Sequence, residues 1–263
     1  MSKFKIVGAN QSNNCWASQM MALNRREGKM IKMLARTLCL CAFVLLVSQQ
    51  LFAQAVPTAV PIEQEPRHKI VFQNKNVRIY DVLIPPGDLT LFHTHSLDEV
   101  AVVVSGGKGT NEIQGKPPIQ FTPIPGAVYF NKAMNAPYTH RLANVGTTPL
   151  RIMAVDVLAS SASRGVPAAL DTVPGHKLVL ENDIVKVYRV SVDPKQSTGV
   201  RSRTLPWLRI SVSQSTISVQ ELGKNPETLE TKPGDYRWHE GATTQSLENI
   251  GSTSYEAIEI ELK

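Results

Sequence analysis

The chain has 263 residues, 42% of them hydrophobic and 19% charged, which allows one large domain or two small ones with buried cores. Its formal net charge of +6 belongs to the first 55 residues, where seven Lys/Arg stand against Glu27 alone; residues 56–263 carry 21 of each sign. A basic face for nucleic acid therefore finds no support, and Cys15, Cys39 and Cys41 all precede residue 56, which leaves no disulfide or thiol site beyond it.

Residues 1–55 read as an export signal. Lys32 and Arg36 form a positive region ahead of 38–47 (LCLCAFVLLV), an apolar run too short to span a bilayer, and Ala53-Gln54-Ala55 offers the small residues a signal peptidase needs. Cleavage there starts the mature chain at Gln54 or Val56, and Met30 or Met33 is a better-placed start for such a leader. The expected location is periplasmic or secreted, with membrane contact only through an uncleaved leader.

Residues 56–66 form a Pro-containing polar lead-in. Beyond them, β-branched runs at 77–84, 100–104, 151–157, 184–192 and 255–262 alternate with Gly, Pro and Asn turns, the pattern of an all-β sandwich or barrel. In the last run Ile258, Ile260 and Leu262 alternate cleanly with Glu259 and Glu261. The two halves repeat at an offset of 108: His68-Lys69-Ile70-Val71 meets His176-Lys177-Leu178-Val179, Tyr80 meets Tyr188, and Pro125-Gly126 meets Pro233-Gly234. After a three-residue deletion Asn144-Val145-Gly146 meets Asn249-Ile250-Gly251. Two barrels are predicted, 67–158 and 173–263, joined by a linker over 159–172.

The first copy contains Gly87-(x5)-His93-x-His95-(x3)-Glu99-(x6)-Gly106. Two residues apart on a strand, His93 and His95 present both imidazoles on one face. Ser96-Leu97-Asp98 can turn the chain and return Glu99 beside them on the next strand. His140, ahead of the Asn144-Val145-Gly146 turn, is the candidate fourth ligand. Imidazoles with one carboxylate suit a single divalent Fe, Mn, Zn, Ni or Cu ion and leave two coordination positions open. His68, His176 and His239 have no partners at ligand spacing and read as surface or turn residues.

These residues resemble the cupin superfamily. Its first motif, G(x)5HxH(x)3,4E(x)6G, is matched at every fixed position. Its second, G(x)5PxG(x)2H(x)3N, is matched at Gly126, His140 and Asn144, with Pro137 three residues before His140 where the family has proline five before. The resemblance covers 70–160 and, through the repeat, 176–263. It implies two tandem double-stranded β-helix (jelly-roll) barrels, a bicupin whose second copy is degenerate: Arg201, Arg203, Trp207 and Gln245 stand at the positions of His93, His95, Glu99 and His140. Arginine stays protonated and cannot coordinate a cation, so the second barrel is expected to be metal-free. Arg201 and Arg203 then either bind a carboxylate or phosphate, walled by Trp207 or Trp238, or play a structural part in packing against the first barrel.

A cupin fold implies a metal, not a reaction. The expectation is a metal-dependent enzyme of dioxygenase or isomerase type acting on a small organic molecule, with Glu99 as candidate base and Tyr129, Tyr138 and Arg141 as candidate substrate contacts. The alternative is a non-catalytic periplasmic binder or scaffold with a structural metal. A small-molecule ligand and a second copy in a homodimer are the partners this reading allows.

Overall fold

The computed structural model describes residues 29–30, 32–34, 58–158 and 165–263. The expected cleavage site, the apolar run of the leader and residues 159–164 of the linker lie outside the described residues. Residues 29, 30 and 32–34 are helical, and no described helix is long and apolar enough to cross a membrane. Residues 57–263 form one compact unit, distinct from 1–56.

The first half of that unit contains β1 (Val60–Pro61), β2 (His68–Gln73), β3 (Val77–Ile84), β4 (His93–His95) and β5 (Glu99–Ser105). It continues through β6 (Gly109–Ile113), β7 (Ile119–Phe121), β8 (Val128–Asn131), β9 (Tyr138–Asn144) and β10 (Leu150–Val157). They make two five-stranded sheets, β1-β4-β9-β6-β7 and β2-β3-β10-β5-β8. The lead-in is thus more than a spacer: Val60 and Pro61 add a parallel strand to β4, and a 3-10 turn over Ile62–Gln64 follows.

The second half repeats the plan with β11 (His176–Glu181), β12 (Val185–Val192), β13 (Arg201–Arg203), β14 (Trp207–Ser211) and β15 (Ser215–Glu221). Then come β16 (Glu227–Thr231), β17 (Tyr236–His239), β18 (Thr243–Asn249) and β19 (Tyr255–Leu262). Its sheets are β11-β12-β19-β14-β17 and β13-β18-β15-β16. Registers correspond: His93 faces His140 across β4 and β9, as Arg201 faces Gln245 across β13 and β18.

The apolar runs follow from burial on both faces. In β5 and β10, Val100, Val102, Val104, Met153, Val155 and Val157 point out of the first barrel into a core shared with Leu208, Ile210, Ile258, Ile260 and Leu262 of the second. The alternate residues, among them Ala101, Ile152 and Ala154, fill the first barrel itself. Every second position of these strands therefore aims at a barrel interior, and the site is built there. The clean alternation of β19 has the same cause. Glu259 and Glu261 do not face water; both are wholly buried inside the second barrel.

Candidate metal centre

Two sheets converge on the interior of the first barrel. From one, β4 and β9 bring His93, His95, His140 and Tyr138, because His93 pairs with His140 and His95 with Tyr138 in register. From the other, β5 and β10 bring Glu99 and Asp156, which are register partners, and β2 brings His68. All six ligand-type side chains are buried.

The distances are short. His95 Nε2 is 3.0 Å from His140 Nε2, and His95 Nδ1 approaches Glu99 Oε2 to 3.1 Å without making a hydrogen bond. His93 donates from Nδ1 to the Leu91 carbonyl at 2.9 Å, and His140 from Nδ1 to Asn111 Oδ1 at 2.9 Å. Both rings therefore turn Nε2 lone pairs inward. Asn131 donates to Glu99 Oε1 at 2.9 Å, which leaves Oε2 free. His93 Nε2 and Glu99 Oε2 are acceptor atoms buried without a hydrogen-bond partner, a costly arrangement unless a cation joins them. Ligand-type atoms of His68, His93 and His95 lie within 4.8 Å of one another, as do those of His95, Glu99 and Asp156; such a group can hold a metal ion.

The electrostatics agree with that chemistry. Burial, reinforced by the neighbouring histidines, lowers the pKa of His93 to about 3 and that of His140 to about 2, so both stay neutral and able to ligate. Burial would raise Glu99, but the His95 ring and the Asn131 amide bring it below its ordinary value. Burial and the adjacent Glu99 charge push Asp156 up to about 7. Burial also raises the Tyr138 phenol, whose ring stacks on His95 with centroids 4.9 Å apart and planes 2° apart.

A cavity of about 540 Å³ adjoins the cluster. His68, His95, Glu99 and His140 line it, with apolar walls from Phe121, Phe130, Leu142 and Ile152, and with Tyr129, Tyr138, Asn111 and Lys132 among its polar groups. Arg141 is not part of it. Alternation along β9 turns Arg141 away from the barrel interior, where its guanidinium pairs with Glu112 at 2.7 Å and lies 4.6 Å over the Phe92 ring.

Two of the histidines expected at the surface are elsewhere: His68 and His176 are buried inside their barrels, whereas half-buried His239 ends β17 and lies flat on Trp207 with centroids 4.0 Å apart. His68 and Asp156 are the two site residues that spacing did not reveal. The repeat carried a signal for His68, since it and His176 open equivalent strands. Asp156 is an acid inside an otherwise apolar run.

In the second barrel Arg201 and Arg203 find their carboxylate within the chain. Arg201 Nη2 donates to Glu259 Oε1 at 3.1 Å, Arg203 to Glu259 Oε2, and Arg203 Nη1 to Glu261 Oε2 at 3.2 Å; Arg209 Nε adds a bond to Glu259 Oε1 at 3.1 Å. Arg203 and Arg209 also lie over the Trp207 ring, at 4.7 and 5.1 Å. The arginine pair thus works inside its own barrel; packing against the first is left to the opposite faces of β12, β14 and β19.

No family model matches the sequence, and no curated protein is similar to it. Solved structures match the fold. AerE from Microcystis aeruginosa is similar at a TM-score of 0.58 and 14% identity, over 79% of this chain and 98% of that one. Oxalate decarboxylase of Bacillus subtilis, a protein with Mn(II) centres, is similar at 0.50 and 13% identity, over 72% and 69%. A variant of salicylate 1,2-dioxygenase from Pseudoaminobacter salicylatoxidans is similar at 0.50 and 11%, over 73% and 72%. The chain has the bicupin fold, two cupin jelly rolls in tandem.

Proposed function

We propose that this bicupin is a metal-dependent enzyme acting on a small organic molecule, with one divalent ion at His93, His95, Glu99 and His140. The observation that carries this reading is a contrast of charge. Every buried Lys or Arg among the described residues belongs to the second barrel: Lys186, Arg201, Arg203 and Arg209. The first barrel buries Glu99 beside its histidines with no buried Lys or Arg to balance it, while Glu65 is held by His68 and the Leu91 amide and Asp156 is pushed up to about 7. Uncompensated carboxylates in a protein interior cost several kcal/mol each, roughly, and a divalent ion offsets that. The 3.0 Å between His95 Nε2 and His140 Nε2 would let both nitrogens face one ion.

Bound there, a divalent ion supplies Lewis acidity toward substrate oxygen atoms and, if redox-active, electron transfer. The chain's own groups supply the rest. The cavity's apolar walls take the carbon body of a substrate and exclude water. Glu99, kept ionised by His95 and Asn131, would act as base on releasing the ion, and the Tyr138 phenol stays protonated as a donor beside it. Dioxygenase or isomerase chemistry fits a site that places a carboxylate base next to open coordination positions.

Mn(II) uptake by the chelator-treated protein, read by the relaxation of water protons, tests this reading. Wild type should bind the ion and show rapidly exchanging coordinated water; His95→Ala should lose binding. An ion held without exchangeable water marks a structural site and overturns the enzyme reading.

A further inference from the structure

We propose that His68 is a fifth protein donor to this ion, held in place by the buried carboxylate of Glu65. The inference rests on the metal reading above and deepens it. His68 opens β2 with its ring centroid 4.4 Å from that of His93 and 6.4 Å from that of His95. Its Nδ1 stands 2.6 Å from Glu65 Oε2, and the two side chains are 3% and 1% exposed. A carboxylate accepts, so Nδ1 carries a ring proton, and in the neutral ring the lone pair is that of Nε2. Histidines that ligate metals make this outer contact as a rule, because it fixes both tautomer and ring orientation.

Glu65 governs a second imidazole as well. Its Oε1 accepts the Leu91 N–H at 3.0 Å, and the Leu91 carbonyl accepts His93 Nδ1–H at 2.9 Å. One carboxylate thus orients His68 directly and His93 through a single residue. Glu65 is a positioning residue.

The second barrel provides an internal control. His176 stands opposite Val190 as His68 stands opposite Val82. Its Nε2 is 3.3 Å from Glu259 Oε2, on the carboxylate that Arg201 and Arg203 bind from the positions of His93 and His95. This strand position therefore reaches the centre of the ligand cluster in both barrels. The backbone turn ahead of it is also shared, His68 N–H to Glu65 O at 3.0 Å and His176 N–H to Val173 O at 3.1 Å. Valine stands where Glu65 stands, and His176 Nδ1 turns to the Pro174 carbonyl at 3.2 Å instead. The orienting carboxylate occurs only in the copy whose centre is built of imidazoles. With His68 as a donor, a six-coordinate ion would keep one open position rather than two.

The test uses full-length wild type, His68→Ala, His68→Gln, Glu65→Gln and His93→Ala, each stripped with chelator and titrated with Mn(II). Pulsed EPR counts the coordinated imidazoles. Both His68 variants should lose one imidazole from the count and bind at least about 10-fold more weakly; Glu65→Gln should keep the count and weaken binding about 10- to 100-fold. His68→Gln offers Glu65 an amide N–H, so it remains informative if the alanine variant fails to fold. An unchanged count and affinity in His68→Gln, with binding lost in His93→Ala, overturns this inference alone. Unchanged affinity in Glu65→Gln overturns the positioning role. A wild type that takes up no Mn(II) overturns the metal reading together with this one.

Discussion

Across the β14–β17 pair, His239 stacks on Trp207 with ring planes 3° apart. Burial, then the Arg209 and Arg237 guanidiniums, lower its pKa to about 3. In an unfolded chain the imidazole titrates near about 6.5. Between those values the unfolded state binds a proton that the folded state refuses, so stability falls as pH drops through that window. His239→Asn should therefore flatten the acid limb of stability against pH, followed by urea midpoints from pH 6.5 to 4 on chelator-treated protein. Parallel limbs in variant and wild type would contradict the shift. His239 also shows what a linear spacing rule conveys and what it misses. His93, His95 and Glu99 lie within seven residues of each other, so strand periodicity alone brings them together. His140 needed a family motif, because its meeting with His93 is made by the β4–β9 pairing. His68 and Asp156 reach the same cavity from β2 and β10, through a barrel closure that leaves no local trace, and His239 meets Trp207 only through strand pairing.

At the scale of elements, strands and the repeat were legible because turn residues recur at a fixed offset. The faces of those strands were less so. A Glu in alternation with Ile normally marks a wet face, yet Glu259 is satisfied by Arg201, Arg203 and Arg209, all on other strands. The turns that dock the barrels are more exacting. Gly234 has φ +89°, and a Cβ there would lie 2.6 Å from Arg151 Cζ. That guanidinium cannot simply retreat, since it donates to Asp81 at 2.8 and 2.9 Å and to the Pro233 carbonyl at 2.7 Å. Gly126, at φ +79°, meets Arg189 of the second barrel in the same way. Gly234→Ala should cost the left-handed backbone penalty, roughly 1–3 kcal/mol, and in addition disturb the Arg151 bonds. Gly223→Ala, at φ +78° with open space around it, carries the backbone penalty alone. Urea unfolding should show the larger loss in Gly234→Ala; equal losses would mean that the Arg151 contact is not constraining.

Over the whole molecule, the two barrels answer one electrostatic problem in two ways. The second buries Glu259 and Glu261 and neutralises them with Arg201, Arg203 and Arg209. The first buries carboxylates of its own among histidines, and on the reading proposed above a bound divalent ion balances them. One divalent ion per chain is the expected stoichiometry, because guanidiniums occupy the second centre. Residues 77–157 and 185–262 contribute to one continuous apolar core, so the barrels should melt together and an ion in the first should stabilise both. At a free concentration about 100 times Kd, an ion bound only by the folded state adds about 2.7 kcal/mol. In a domain of this size that moves Tm by about 5–10 °C. Calorimetry with and without chelator, on protein whose metal content has been measured, should thus show a single transition that shifts by that amount at one ion per chain. Two tightly bound ions would mean that the arginine cluster of the second barrel opens to admit one. Separate transitions, with only the lower one responding to metal, would mean that the shared core does not couple the barrels.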